Sequence, residues 1–260
     1  MSGTQERVAT PKVSILMATW ECAPLLVNFL RSLEDQTPVT PGDWELLIMD
    51  NCSSDGLPQL VWNYQAAHPE YLIRFSSQAD VGIYDAWNRG VELAQGAYLC
   101  FIGADDVFVS SESLQKLLDL TNSSAELITC RNSYYSSDGD FLRDWGSAWH
   151  WRRMRESMNI AHPGMLIRCD LFHRFGLFDP TFKICGDYEW FLRLSPRIRS
   201  IHSPTSILKV VQGGVSHTMI GAVYAETFRA QRRHLNLLWS AGCWLLNWLK
   251  YCRRRLIGLA

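Results

Sequence analysis

Residues 97–106 read AYLCFIGADD, an apolar run that ends in two adjacent aspartates. The run predicts a buried strand with Asp105 and Asp106 at its carboxyl end. Adjacent carboxylates repel one another, and a divalent cation such as Mg²⁺ or Mn²⁺ would relieve that repulsion. The alternative is that one of the aspartates caps a short helix that enters at Val107. The stretch therefore predicts a strand whose end is either a metal site or a helix cap.

Strand-like and helix-like patterns alternate on both sides of this run. The predicted strands are 12–18, 44–49, 72–75, 97–102 and 126–130, and the predicted helices are 24–36, 57–67, 83–94 and 113–120. This alternation predicts an α/β fold with a mostly parallel, Rossmann-like sheet flanked by helices. Because such sheets bind ligands at the carboxyl ends of their strands, we expect Thr19, Asp50 and Asn51 to lie near the aspartate pair.

The pattern changes after residue 131. We expect a hairpin over 132–145 around Asp138-Gly139, a loop rich in Trp, Arg and Met over 147–159, a strand over 164–168 and a helix over 187–194. Asp187 either caps that helix or, at the edge of a site, takes a proton from an acceptor hydroxyl. Asp85 and Arg89 are four residues apart in a predicted helix, so an ion pair within the helix is one interpretation of them.

The last forty residues are helical in character and cationic. From Glu226 onward there are seven Lys and Arg residues against one acid, and the apolar stretch 235–249 is followed by KYCRRR at 250–255. This stretch is shorter than the about 20 residues that cross a bilayer. Tryptophans beside a basic cluster are typical of a helix on an anionic membrane surface. The alternative is a helix packed on the rest of the chain or on a second subunit.

Composition excludes several classes of protein. Hydrophobic residues make up 47% and charged residues 20% of 260 residues, which is unlike a disordered chain or a multi-span membrane protein. A formal net charge of −1 does not favour a general nucleic-acid binder. The eight cysteines form no Cys-x-x-Cys pair, so a structural zinc site is not expected. The sequence opens on polar residues without an apolar signal segment, and we expect a flexible stretch over 1–10 in a cytoplasmic protein.

Taken in order, these segments resemble the family 2 glycosyltransferases, which have the GT-A fold. The stretch DVGIYDAWNRG at 80–90 closely resembles a segment of a subgroup that builds bacterial surface polysaccharides of the colanic-acid, O-antigen or capsule type. The segment GAYLCFIGADDVF at 96–108 resembles the strand and metal-binding motif of the family. Four other segments also match, namely VSILMATW at 13–20, MDNCSSDG at 49–56, FKICGDYEWFLRL at 182–194 and GGVS at 213–216.

The resemblance implies roles for particular residues. Asp106 and His217 would hold Mn²⁺ or Mg²⁺, and Asp187 would be the general base. The residues implied for the nucleotide-sugar donor are Thr19, Glu21, Asp50, Asn51, Asp85, Asn88, Arg89 and Asp105. His162, Glu189 and Trp190 would face the acceptor, although a buried structural histidine is an equal alternative for His162. Asn51 departs from the family pattern, in which a second Asp is common.

The resemblance also implies an organisation and a reaction. Residues 11–220 would form the catalytic domain, with donor binding in 11–130 and acceptor binding in 131–220, and 221–260 would associate with a membrane or a second subunit. A single in-line displacement would transfer the sugar of a UDP-sugar or GDP-sugar, with inversion, to a glycan or lipid-linked glycan on the inner face of the plasma membrane. The alternative is an inactive protein that binds nucleotide sugars or serves as a membrane scaffold.

Other nucleotide-dependent and hydrolytic enzymes lack support in the sequence. No Gly-x-Gly occurs for a dinucleotide-binding loop, and no Gly-x-Ser-x-Gly occurs for a serine hydrolase. A nucleotidyltransferase would need a glycine-rich, basic loop near the first strand, and none is present.

Overall fold

The computed structural model describes residues 10–214 and 218–256. The expected flexible stretch at 1–10 falls outside this part of the chain except for Thr10. His217, proposed from the resemblance as a metal ligand, also lies outside the described residues.

The described residues form a single mixed sheet. Its strands, in chain order, are β1 (Val13–Thr19), β2 (Trp44–Asp50), β3 (Leu72–Ser77), β4 (Tyr98–Phe101), β5 (Val107–Phe108), β6 (Leu127–Tyr135), β7 (Phe141–Trp145), β8 (Leu166–Arg168) and β9 (Ser200–Val211). They are arranged in the order β3-β2-β1-β4-β8-β6-β9-β5, and β7 pairs with β6 at one side. β3, β2, β1 and β4 are all parallel, as the sequence predicts for its first half.

The second half of the sheet is mixed in direction. The short strand β8 runs antiparallel to both of its neighbours, β4 and β6, whereas β9 runs parallel to β6. β7 forms the expected hairpin with β6. The long strand β9 was not predicted, because it contains Pro204 and several polar residues and its pairing partner lies some seventy residues earlier in the chain.

Helices cover both faces of the sheet. In the described residues they are α1 (Ala23–Glu34), α2 (Leu57–Ala67), α3 (Ile83–Leu93), α4 (Ser113–Leu120), α5 (Trp151–Met154), α6 (Asp170–Phe175), α7 (Gly186–Arg193), α8 (Ile220–His234) and α9 (Leu237–Leu256). One core packs α1, α2 and α4 on the sheet through residues such as Phe29 and Leu117, and the other packs α3, α6 and α7 through residues such as Trp190. The predicted α/β architecture is therefore confirmed.

The described part of the C-terminal segment contains α8 and α9, and α8 is bonded to the residues before α7. The Glu226 carboxylate of α8 accepts hydrogen bonds from the backbone N–H groups of Lys183, Ile184 and Cys185 at 2.8–2.9 Å. Arg233 of the same helix pairs with Asp179. None of the described helices is both long enough and apolar enough to cross a membrane.

Helix α3 lies close to the sheet because residue 90 is a glycine. A Cβ atom at Gly90 would lie 2.8 Å from Cδ2 of Leu16 and 3.4 Å from Cγ of Met49, and both of those side chains are buried. This close approach places the first turn of α3 beside the carboxyl ends of the strands.

We expect Gly90→Ala to lower the free energy of unfolding by about 1–3 kcal/mol, because the added methyl group overpacks the helix–sheet contact. The matched control is Gly242→Ala in α9, where a Cβ meets nothing within 4 Å. Since alanine favours a helix over glycine by about 1 kcal/mol, the control should be neutral or stabilising. Urea unfolding of the three proteins measures both effects, and a Gly90→Ala protein as stable as the wild type would contradict the prediction.

Candidate functional site

The carboxyl ends of β1, β2 and β3 are joined by one buried carboxylate. Asp50 has no exposed surface, and its two oxygens accept hydrogen bonds from Thr19 Oγ1 (3.2 Å), Ser53 N (3.0 Å), Ser53 Oγ (2.6 Å) and Ser77 Oγ (2.6 Å). Thr19, Asp50 and Ser77 are register partners across the three strands. The oxygens of Asp50 are therefore engaged within the protein, and its role at this edge is to hold the loops in place.

The loop after β1 is tied to the loop after β2. Glu21, whose φ is +47°, accepts hydrogen bonds through Oε1 from the backbone N–H and the hydroxyl of Ser54. Asp55 accepts a hydrogen bond from Ala23 N at 2.7 Å and so caps α1. Trp20, directly before Glu21, is 67% exposed and leaves a large flat aromatic surface at the edge of the sheet. Trp20 was not among the predicted site residues, although a tryptophan directly after a polar strand end was a readable signal.

A hydrogen bond and an ion pair tie the loop before α3 to the loop after β2 and to α3 itself. Asn51 Oδ1 accepts a hydrogen bond from Asp80 N at 2.8 Å, and Asp80 pairs with Arg89 Nη2 at 3.3 Å. Asp85 instead accepts a hydrogen bond from Val81 N, so the alternative of an Asp85–Arg89 pair within the helix is wrong. The Nε and Nη1 atoms of Arg89 are buried, and no described residue accepts a hydrogen bond from them.

The side chain of Asn88 is bonded to the backbone of Phe178. Its side-chain amide both donates to the carbonyl of Phe178 and accepts from the Phe178 N–H, each at 2.9 Å. This pair of bonds ties α3 to a segment ninety residues later. Asn88 therefore positions α3 and the residues before α7 through the backbone.

The aspartates after β4 differ from each other. Asp106 is 3% exposed and accepts a hydrogen bond from Gly103 N at 2.9 Å, whereas Asp105 is exposed. Burial, together with the negative charge of Asp105, raises the pKa of Asp106 to about 7. The short strand β5 follows at once, so neither residue caps a helix at Val107.

The parallel pairing of β1 with both β2 and β4 brings the loops after these three strands to one edge of the sheet. The pKa of the Cys22 thiol is raised first by its burial and then by the negative charges of Asp55, Asp50 and Asp105. These carboxylates come from the loops after β2 and β4, and Cys22 comes from the loop after β1. The edge that the sequence predicted to collect ligand-binding residues is thus strongly acidic, and a cation would be attracted to it.

A divalent metal ion fits this edge if the protein and a substrate together supply its ligands. Within residues 10–214 and 218–256, no group of three or more His, Cys, Asp or Glu side chains could hold a metal ion by itself. Mg²⁺ in phosphate-handling sites is commonly held by one or two carboxylates, with phosphate oxygens and water completing its shell. The buried carboxylate of Asp106, which pairs with no Lys, Arg or His among residues 10–214 and 218–256, matches that donor set.

Asp187 lies at the start of α7 and is held by several groups. Its Oδ1 atom accepts from its neighbour Tyr188 N at 2.8 Å and lies 3.1 Å from the Tyr84 hydroxyl. The same hydroxyl is 2.7 Å from the carbonyl of Ile184, so its single proton is shared between two acceptors. A Cβ at residue 186 would lie 2.7 Å from the Tyr84 ring, which explains the glycine that precedes Asp187.

His162 lies beneath Asp187 in an aromatic cage. Its Nδ1 atom is 3.8 Å from Asp187 Oδ2, and its ring is stacked on Phe101 with centroids 5.2 Å apart. No described residue forms a hydrogen bond with its buried Nε2 atom. Burial lowers the pKa of His162 more than the nearby Asp187 carboxylate raises it, so the imidazole is held neutral.

The three predicted acceptor residues are all buried, namely His162, described above, and two residues of α7. Glu189 is buried and pairs with Arg193 and with His234 of α8. Trp190 is fully buried, stacks on Phe172 and donates to the carbonyl of Gly176 at 2.7 Å. The prediction that these side chains contact an acceptor is therefore corrected, because packing between α7, α6 and α8 encloses both.

Comparison with known proteins agrees with this architecture. The family model described as "Glycosyl transferase family 2" matches residues 14–182. A "PGL/p-HBAD biosynthesis glycosyltransferase" of Mycobacterium bovis is 27% identical over 222 residues, which cover 82% of each chain.

Two solved structures share the fold at lower identity. S. aureus TarS 1–349 in complex with UDP-GlcNAc matches 85% of this chain with a TM-score of 0.66 and 17% identity. The mannosyltransferase PcManGT of Pyrobaculum calidifontis, in complex with GDP-Man and Mn²⁺, matches 84% with a TM-score of 0.63 and 16% identity. The chain spans 65% and 64% of these two proteins. The GT-A fold expected from the sequence is confirmed.

The buried His162 gives a testable dependence of stability on pH. Because its pKa is lower in the folded protein than in the unfolded chain, acid favours the unfolded chain, and the stability present above about pH 6.5 is lost as the pH falls. His162→Phe keeps an aromatic ring but does not titrate. We expect the stability difference, wild type minus variant, to fall between pH 7.5 and 5 with a slope approaching about 1.4 kcal/mol per pH unit. Urea unfolding across this range measures it, and parallel curves would contradict the prediction.

Proposed function

Because the chain belongs to glycosyl transferase family 2, we propose that it transfers a sugar from a nucleotide diphosphate donor to a hydroxyl of a glycan or lipid-linked glycan. The observation that carries the proposal is the buried Asp106 carboxylate at the acidic edge where three strand-end loops meet. The donor is a UDP-sugar or a GDP-sugar, a choice supported by the UDP-GlcNAc and GDP-Man found in structures of similar fold. The biosynthesis of a surface polysaccharide is the process that the resemblance in residues 80–90 supports.

In this proposal Asp106 holds Mn²⁺ or Mg²⁺ and Asp105 contacts the ribose or the metal shell. An ion held there would supply positive charge opposite the departing diphosphate. Glu21, Asn51 and the exposed ring of Trp20 line the nucleotide pocket. The Nε and Nη1 atoms of Arg89, for which no described residue is an acceptor, are suited to an anionic or carbonyl group of the donor.

The remaining predicted donor residues act indirectly. Thr19 and Asp50 fix the loops after β1 and β2, Asp85 fixes the loop before α3, and Asn88 fixes α3 itself. On this view residues 11–130 bind the donor and 131–220 bind the acceptor. The enzyme would work in the cytoplasm, peripherally on the inner face of the plasma membrane, with 221–260 as its attachment.

Asp187 is the proposed general base. It takes the proton from the acceptor hydroxyl as the oxygen of that hydroxyl attacks the anomeric carbon and the bond from that carbon to the diphosphate breaks. A single displacement of this kind inverts the configuration. Tyr84, the N–H of Tyr188 and the neutral His162 beneath the carboxylate keep Asp187 in one orientation.

The proposal is tested by the release of UDP or GDP from a panel of nucleotide sugars, with and without Mn²⁺. We expect slow metal-dependent release by the wild type and a loss of about a hundredfold or more in Asp106→Asn, since one electrostatic contact at a reacting centre is commonly of that size. Asp187→Asn should bind the donor with unchanged affinity and lose transfer to an added acceptor. The matched control is Asp138→Asn, which removes an exposed carboxylate from the β6–β7 turn.

Donor binding without release or transfer by the wild type, across the donors and candidate acceptors tried, would favour the inactive scaffold. If the wild type neither binds nor hydrolyses any donor, the assignment of the donor site is wrong. Equal activity of Asp106→Asn and Asp138→Asn would remove Asp106 from the metal site.

The hydroxyl of Tyr84 provides a separate test of the base. Tyr84→Phe keeps the ring against Gly186 but removes the donor that lies 3.1 Å from Asp187. We expect kcat to fall about tenfold with the KM for the donor unchanged, because losing one hydrogen bond to a charged group costs about 1.5–3 kcal/mol and only part of that reaches the transition state. An unchanged kcat would mean that Tyr84 holds only the loop through Ile184.

A further inference from the structure

Helix α9 is amphipathic, and the structure turns its apolar side outward. The residues that face the rest of the protein are Ser240, Cys243 and Asn247, which recur at three- and four-residue spacing. Leu238, at 85% exposure, lies on the opposite side together with Leu245 and Leu249, seven and eleven residues later. The helix thus packs its small and polar side on the protein and leaves its leucines uncovered.

The groove beside this helix is also apolar. It has a volume of about 320 Å³, lies between α8 and α9, and is lined by Ile220, Gly221, Tyr224, Ala225, Trp244, Trp248 and Tyr251. The rings of Trp244 and Trp248 are stacked, and each indole is more than 40% exposed. Together the groove and the leucine ridge form a continuous uncovered apolar surface, which a monomeric protein in water rarely presents.

Positive charge accompanies this surface. Arg232 of α8 and Arg253 of α9 are exposed. The segment that begins at Glu226 contains seven Lys and Arg residues and only one acid, Glu226 itself. Arg233 pairs with Asp179, and the Glu226 carboxylate accepts from the N–H groups of residues 183–185. The partner of the surface must therefore be apolar in its interior and negatively charged at its boundary.

We propose that the outward face of α9 docks on an anionic lipid bilayer, with the helix lying in the plane of the interface. Leu238, Leu245 and Leu249 enter the acyl region, Trp244 and Trp248 sit at the level of the headgroups, and Arg232 and Arg253 contact lipid phosphates. This inference deepens the membrane attachment included in the proposed function, and it does not depend on sugar transfer.

A second copy of the chain fits the same face less well. The centre of a stable protein interface is depleted in charged residues. Two copies of this face would each present the exposed Arg232 and Arg253, whose like charges repel. An anionic lipid surface instead supplies the opposite charge to the same residues.

The attachment also reaches the proposed base. α8, which packs on α9 through the Tyr224–Asn247 hydrogen bond, holds the N–H groups of residues 183–185 directly before Asp187. A helix fixed on a membrane would therefore hold the loop before Asp187 at a constant height above the lipid surface.

The test is flotation of the full chain with vesicles of phosphatidylcholine containing about a quarter phosphatidylglycerol. We expect the wild type to float, to bind vesicles of phosphatidylcholine alone more weakly, and to bind less at high salt. Leu245→Glu/Leu249→Glu should reduce the partition coefficient by about tenfold or more, because two inserted leucines are replaced by charges. The matched control is Leu93→Glu at the end of α3, where the leucine is 45% exposed, compared with 50% for Leu245.

Circular dichroism of each variant confirms that the fold is retained, which is expected because the replaced side chains are exposed. Equal flotation of the double variant and the control would overturn the proposal. A wild type that does not float would also overturn it. Light scattering would then show whether the wild type is a dimer and the double variant a monomer, which would mean that a second copy covers this face. Because flotation needs no substrate, these results are separate from any failure of the transferase assay.

Discussion

The buried carboxylate of Asp50 is the constraint on which the site depends. It accepts four hydrogen bonds from groups on β1, on β3 and on the turn that follows β2, and no part of it reaches solvent. A buried charge is tolerated only when hydrogen-bond donors surround it. Removing one of the four donors would therefore leave the Asp50 carboxylate poorly compensated. The ends of three parallel strands are thereby fixed relative to one another, and the loops that carry Glu21, Asn51 and Asp80 take their positions from them.

A second set of interactions joins the far part of the chain to this edge. Asn88 is bonded to the backbone of Phe178, Tyr84 reaches Asp187, and Glu226 holds the three N–H groups before α7. Each contact spans forty or more residues in sequence. The placement of Asp187 therefore results from α3 on one side and α8 on the other, with the neutral His162 beneath it.

The sequence predicted the first half of the fold well, because parallel strands buried on both faces appear as short apolar runs and their helices are amphipathic. It predicted the residues at the strand ends for the same reason. It did not predict β9, whose polar residues and Pro204 hide the pattern of a strand that pairs along most of β6. It assigned Glu189 and Trp190 to the acceptor because it had no information that α8 and α6 would enclose them. The structural roles of Asn88 and Asp50 likewise depend on hydrogen-bond partners that no local pattern reveals.

Contacts between α8 and residues 179–189 limit how far the chain can be shortened. They are made by Glu226, Arg233 and His234. A fragment that ended at residue 220 would remove Arg233 from Asp179 and His234 from Glu189, and it would release the backbone before Asp187. A fragment that ended after α8 would keep all of these contacts and lose only the helix with the outward leucines. For crystallisation or soluble production, the structure therefore favours a cut between His234 and Leu237, where one helix ends and the next begins.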